Sequence, residues 1–200
     1  LGIKVQGDKS TYPKATNYFV CPPEVQAVYG DKPTVLDIAL PVDDIDTCAS
    51  VWYRCYSSHR GLTAKGDGYV CTRLVDLEKA VDPKTGALPE SKEPKFWPIA
   101  RKDAKKTDRV QITCDPEHCE EYGRKQCRMI LNLQFLLPEV PGIGVWQVDT
   151  SSVNSIRNIL DDLDLIKRLG HGRMALIPLK LSLIPKEVNV EGVKKTSHVL

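Results

Sequence analysis

Three cysteines, Cys114, Cys119 and Cys127, stand in a C-x4-C-x7-C run, CDPEHCEEYGRKQC. With Pro116, His118 and Gly123 between them, the run reads as a loop that bends back on itself. Zinc prefers tetrahedral sulfur and nitrogen ligands, and short spacings of this kind let one loop supply several of them. Three thiolates leave one ligand to be found elsewhere. Cys71 is the first choice, because it follows the tight-turn signal Gly66-Asp67-Gly68 on what reads as a return strand. His118 is the alternative, but it adjoins Cys119, and neighbouring residues reach one tetrahedral ion only with strain. Four protein ligands close the site against water, so the expected Zn2+ is structural. Cys21, Cys48 and Cys55 are expected to be plain buried thiols.

Other residues carry weaker signals. The basic run at 101–109, RKDAKKTDR, reads first as a solvated loop and second as a contact for DNA phosphates or an acidic partner. Its candidate residues are Arg101, Lys102, Lys105 and Lys106. Phe96 and Trp97, between Pro94 and Pro98, either anchor this loop to its own core or present an aromatic hot spot. Lys65-Gly66-Asp67-Gly68 lacks the spacing of a P-loop and reads as a hairpin turn. Asp43, Asp44 and Asp46 suit an N-terminal cap, and Asp161, Asp162 and Asp164 a solvated helix face. His59, His171 and His198 have no nucleophile or carboxylate motif beside them. No catalytic residue is assigned.

These residues must be positioned by mostly extended elements. Strand signals fall at 34–40, 52–56, 69–75, 109–113, 128–137 and 144–148, with a last one at 173–184. Residues 61–68 read as turn-rich, 1–30 as an extended arm over the core, and 82–108 as a mobile surface loop. The one main helix is expected at 152–169, where Val153, Ile156, Leu160, Leu163 and Ile166 recur on one face. Ser152 offers an N-cap, Lys167 and Arg168 suit the C-terminal dipole, and Gly170 is expected to end the helix left-handed. The fold class that follows is α+β, predominantly antiparallel β, with a zinc-stapled loop at 114–127 set between strands.

At 200 residues the chain is expected to form a single domain over 1–200. A formal net charge of +2 argues against nucleic-acid binding driven by bulk electrostatics. No stretch approaches the roughly 20 apolar residues that cross a bilayer. Seven cysteines, an odd count, fit thiolate ligands in a reducing cytosol better than a paired disulfide framework. A start at Leu1 suggests a segment of a longer polypeptide.

The order of features resembles the recombination directionality factor-like family of temperate phages and integrated elements. The matching stretches begin with YPKATNYFVC at 12–21 and YGDKPTVLDIAL at 29–40, followed by 42–45 and a strand with Trp52, Tyr53 and Tyr56. Gly61-Leu62, Gly66-Asp67-Gly68, Arg73 and the cysteine loop come next, then LQFLLP at 133–138 and GVWQVDTSS at 144–152. Members often carry a cysteine before the Gly-Asp-Gly turn, where this chain has Ala64, and Cys71 would replace that ligand from the other flank. The resemblance implies a non-enzymatic phage regulator in the bacterial host cytoplasm, without membrane or small-molecule substrate. It would bind the coiled-coil arm of a large serine integrase, meet DNA through that complex, and turn recombination from integration to excision. The alternatives from other classes are a zinc-dependent hydrolase, which needs an open metal position, and a direct DNA-binding module using the basic run.

Overall fold

In a computed structural model of the chain, residues 3–6, 11–14, 16–190 and 193–200 are described. The elements in chain order are β1 (Ile3–Gln6), β2 (Thr11–Lys14), α1 (Pro23–Tyr29), β3 (Val35–Ile38), α2 (Ile45–Cys48) and β4 (Ala49–Ser57). There follow β5 (Gly61–Gly66), β6 (Val70–Asp76), α3 (Leu77–Ala80), a short 3-10 turn at Pro94–Phe96, β7 (Thr107–Thr113) and α4 (Glu120–Gly123). The chain goes on through β8 (Cys127–Phe135), β9 (Trp146–Thr150), α5 (Val153–Leu169), β10 (Leu179–Ser182), β11 (Ile184–Val190) and β12 (Val193–Val199). The fold class is α+β, with a large antiparallel sheet and one main helix. No helix among the described residues is long and apolar enough to cross a membrane.

The chain divides into two compact units, Leu1–Ser50 with Leu131–Leu200, and Val51–Ile130. In the first, α5 buries Ile156, Ile159 and Leu163 at three- and four-residue spacing, whereas of the expected stripe Val153 is exposed and Leu160 and Ile166 are half-buried. Ser152 caps it by accepting a hydrogen bond from the Ser155 amide at 3.3 Å. The chain end is tied to the same helix: the Leu200 amide donates to Ser155 Oγ at 3.1 Å, and Asn158 Nδ2 donates to the Leu200 carbonyl at 2.9 Å. β3 pairs antiparallel with β10, β11 with β12, and β8 from Leu131 onward with β9. Leu40, Leu131 and Met174 are fully buried in this unit.

The second unit holds β7, β6, β5, β4 and the start of β8, side by side in that order. Asp67 organises the turn between β5 and β6. Its Oδ1 accepts from the amides of Tyr69 and Val70 at 2.8 and 2.7 Å, while Gly68 takes φ +102°. The core of this unit gathers Cys55, Ala64, Cys71, Val75, Ala80, Trp97 and Ile112.

Several local expectations are corrected. Residues 61–66 form strand β5, not a turn, because the reversal falls earlier at 58–60 and buries Thr63 and Ala64. Gly170 has φ −80°, and the left-handed residues are His171 and Gly172. A Cβ at Gly170 would run into the Arg173 carbonyl oxygen, so the glycine serves a close approach. The strand expected at 173–184 starts only at Leu179, because 173–176 wrap around the Asp43 carboxylate and Leu176 takes φ +59°, and it is followed by β11 and β12 and so is not the last. Part of the expected arm, residues 1–2, 7–10 and 15, lies outside the described residues; within 1–30 the chain forms β1, β2 and α1.

Candidate functional site

The ladder of the second unit brings distant residues to one face. β4 and β5 set Tyr53 opposite Gly66 and Cys55 opposite Ala64. β5 and β6 set Gly66 opposite Cys71 and Ala64 opposite Arg73, and β7 adds Ile112 opposite Cys71. Cross-strand partners share a face, as do residues two apart on a strand, so Cys55, Cys71, Arg73 and Ile112 project to the same side. The Cys114 amide donates to the Tyr69 carbonyl at 2.8 Å, which extends the ladder one residue and brings Cys114 beside Cys71. Gly66 leaves the room: a Cβ there would come within 2.5 Å of Cys114 Sγ and 3.1 Å of Cys71 Cβ.

The cysteine loop folds back over this face by local rules. Asp115 accepts from the Glu117 and His118 amides, Cys119 starts α4, and Lys125 takes φ +59° before Cys127 opens β8. Two contacts fasten α4 to the sheet. Tyr122 meets the Tyr53 ring edge-on, with centroids 5.4 Å apart. Glu121 takes both ends of the Arg73 guanidinium at 3.2 and 3.0 Å. Arg73 also donates to the Trp97 carbonyl at 3.1 Å and lies 3.9 Å from Cys119 Sγ.

Cys55, Cys71, Cys114, Cys119 and Cys127 thus line one pocket together with Arg73 and Glu121. All are unbridged thiols. The hydrogen bond from the Cys71 thiol brings Cys114 down to about 7, and the same bond, with burial, pushes Cys71 up. Burial first, then the neighbouring thiols, pushes Cys127 up to about 12, and burial raises Cys119 as well. So crowded a set resists multiple ionisation by itself, and a bound dication reverses that bias.

Among the described residues no three His, Cys, Asp or Glu side chains stand in preformed metal-coordinating geometry. The donor set nevertheless fits zinc in composition, since Cys71, Cys114, Cys119 and Cys127 offer four thiols to one space. His118 points elsewhere, its Nδ1 2.8 Å from the Asp115 carboxylate and its side chain 81% exposed. Cys48 belongs to the first unit, where it is buried and its thiol donates to the Val42 carbonyl at 3.5 Å. Spacing alone does not reveal that Cys55, Arg73 and Glu121 line this pocket, nor that Gly66 makes room beside it.

The partner candidates are spread differently. Trp97 is buried, and its indole N–H donates to the Ser91 carbonyl at 2.7 Å. Phe96 is 41% exposed, with Lys95 Nζ 4.9 Å above its ring. Arg101, Lys102, Lys105 and Lys106 all face solvent.

The fold and the pocket together describe an α+β protein whose cysteine loop folds back over a sheet face lined with thiols. The chain belongs to the Gp3-like, recombination directionality factor-like family, whose model matches residues 1–200. No curated protein and no solved structure matches it.

Proposed function

We propose that this chain is a phage recombination directionality factor, acting in the bacterial cytoplasm, that binds a large serine integrase on DNA and switches recombination from integration to excision. The family match along the whole chain is the observation that carries this reading. The factor needs no catalysis of its own. It has only to bind one arrangement of the integrase's coiled-coil arms better than the other, and a shift from 1:99 to 99:1 takes about 5.5 kcal/mol of such preference.

In the same reading Cys71, Cys114, Cys119 and Cys127 hold one structural Zn2+. A closed set of four thiolates would cross-link β6, the cysteine loop and the start of β8, leaving no position for a reactive water. Arg73, within reach of Cys119, would offset part of the thiolate charge.

The test uses the purified chain with its cognate integrase and attL and attR substrates. Recombination of attL with attR should appear only when the chain is added, and the two proteins should co-elute. Absence of both stimulation and co-elution would exclude the reading.

A further inference from the structure

The sheet face of the second unit that turns away from the thiols is built differently. Cys55, Cys71, Arg73 and Cys127 line the pocket, so alternation sends Tyr56, Thr72, Leu74 and Arg128 to the other side. Lys65 stands opposite Thr72, and Arg109 opposite Leu74, so both join that side. A bulge adds Leu62. Cys55 pairs with Ala64 and Tyr56 with Leu62, which makes Thr63 the extra residue of β5. Leu62 and Lys65 are three apart and would otherwise lie on opposite faces; the bulge turns both to this one.

The result is apolar in the middle and cationic at its edges. Tyr56 is 55% exposed, and Leu62 and Leu74 are half-buried. Arg109 on β7 and Arg128 on β8 are both exposed. The strand order β7-β6-β5-β4-β8 puts four spacings of roughly 4.8 Å between them, a band about 19 Å wide. Arg109 Nη2 donates to the Leu62 carbonyl at 3.3 Å, which holds that guanidinium along the band. No carboxylate of the described residues pairs with Lys65, Arg109 or Arg128. Asp76, where β6 ends, is buried and held by Lys79 at 3.1 Å.

We infer that this face seats one amphipathic helix of a partner protein, its apolar stripe on Tyr56, Leu62 and Leu74 and its carboxylates toward Arg109 and Arg128. The inference rests on the reading of the chain as an integrase-binding factor, and the helix then belongs to the integrase's coiled-coil arm. A helix is about 10–12 Å across with its side chains, so acidic groups on its two flanks come within reach of the bordering arginines. A second copy of this chain would set cations against cations. A single nucleic-acid strand needs open rings on which its bases stack. Here Lys65 Nζ caps the Trp52 ring at 3.7 Å, and the middle of the band is largely aliphatic.

The test is biolayer interferometry of the full chain on immobilised cognate integrase. Arg109→Glu/Arg128→Glu should weaken binding at least about tenfold and flatten its salt dependence. Tyr56→Ser leaves every charge in place and should weaken binding about fivefold or more. Lys84→Glu/Lys92→Glu makes the same charge change at two exposed positions and should bind as the unaltered chain does. If the unaltered chain binds integrase and both face variants match that control, this inference alone falls. It falls likewise if the control loses as much as the arginine variant. A chain that does not bind integrase at all overturns the proposed function and this inference together. Integrase binding unchanged in the face variants, alongside loss of a dimer of this chain or of oligonucleotide binding, would give the face to that occupant instead.

Discussion

Arg73 on β6 and Glu121 on α4, far apart in sequence, form a two-pronged ion pair, with the arginine side chain 3% exposed and the glutamate 21%. The pair fastens the cysteine loop to the sheet that carries Cys71. Removing one partner of a buried pair strands the other charge, which costs about 3–5 kcal/mol in well-buried cases. Arg73→Met should therefore cost about 3 kcal/mol in urea unfolding, and Glu121→Gln less, because the amide oxygen still accepts from Arg73, which also keeps the Pro94 and Trp97 carbonyls. Arg73→Met combined with Glu121→Leu should recover part of the loss. A single variant within about 0.5 kcal/mol of the unaltered chain would contradict this role.

Gly66 tests the crowding of the pocket directly. Its Cβ would overlap Cys114 Sγ, at 2.5 Å, in a part of the sheet that has little room to yield. Gly66→Ala should destabilise by about 1–3 kcal/mol, as overpacking does. Gly123→Ala is the matched comparison, because nothing lies within 4 Å of a Cβ there and the residue sits in α4. It should be neutral or stabilising by up to about 1 kcal/mol. Equal melting temperatures for the two variants would show that the space beside Cys114 is not tight.

Asp43 supplies a pH dependence whose sign follows from its bonds. The amides of Ala175 and Met174 both donate to its Oδ1 at 2.7 Å and hold its carboxyl below the usual carboxylate range. A group depressed on folding stabilises fully above its unfolded pKa, about 3.9, and loses that contribution as the pH falls through the folded value. Asp43→Asn keeps an acceptor but cannot titrate. The stability difference between the two proteins should be constant from about pH 5 to 7 and shrink below about pH 4. A difference curve flat down to pH 2 would show that these two amides do not favour the charged form.

The regular elements were the most legible in the sequence. Helix α5 announced itself through Ile156 and Leu163 on one face and a hydroxyl at Ser152, both local signals. The cysteine spacing likewise pointed to a loop folded on itself. What spacing could not give was the register across β4, β5, β6 and β7, which alone brings Cys55 and Arg73 to the wall shared with Cys114. The shift in pairing between Cys55 and Tyr56 hides that alignment further. Gly66 read as a turn residue because composition does not distinguish a glycine that bends the chain from one that makes room. The pairing of β11 with β12 went unseen because Pro185 and the charges at Lys186, Glu187 and Lys194 mask any alternation.

Metal content of the purified chain, measured together with unfolding of the Cys114→Ser/Cys119→Ser/Cys127→Ser variant, bears most directly on the proposed zinc staple. Elemental analysis should find about one zinc per chain, retained through gel filtration, and the serine variant should lose both the metal and several kcal/mol of stability. A metal-free chain, whose serine variant melts at the same temperature, would contradict it.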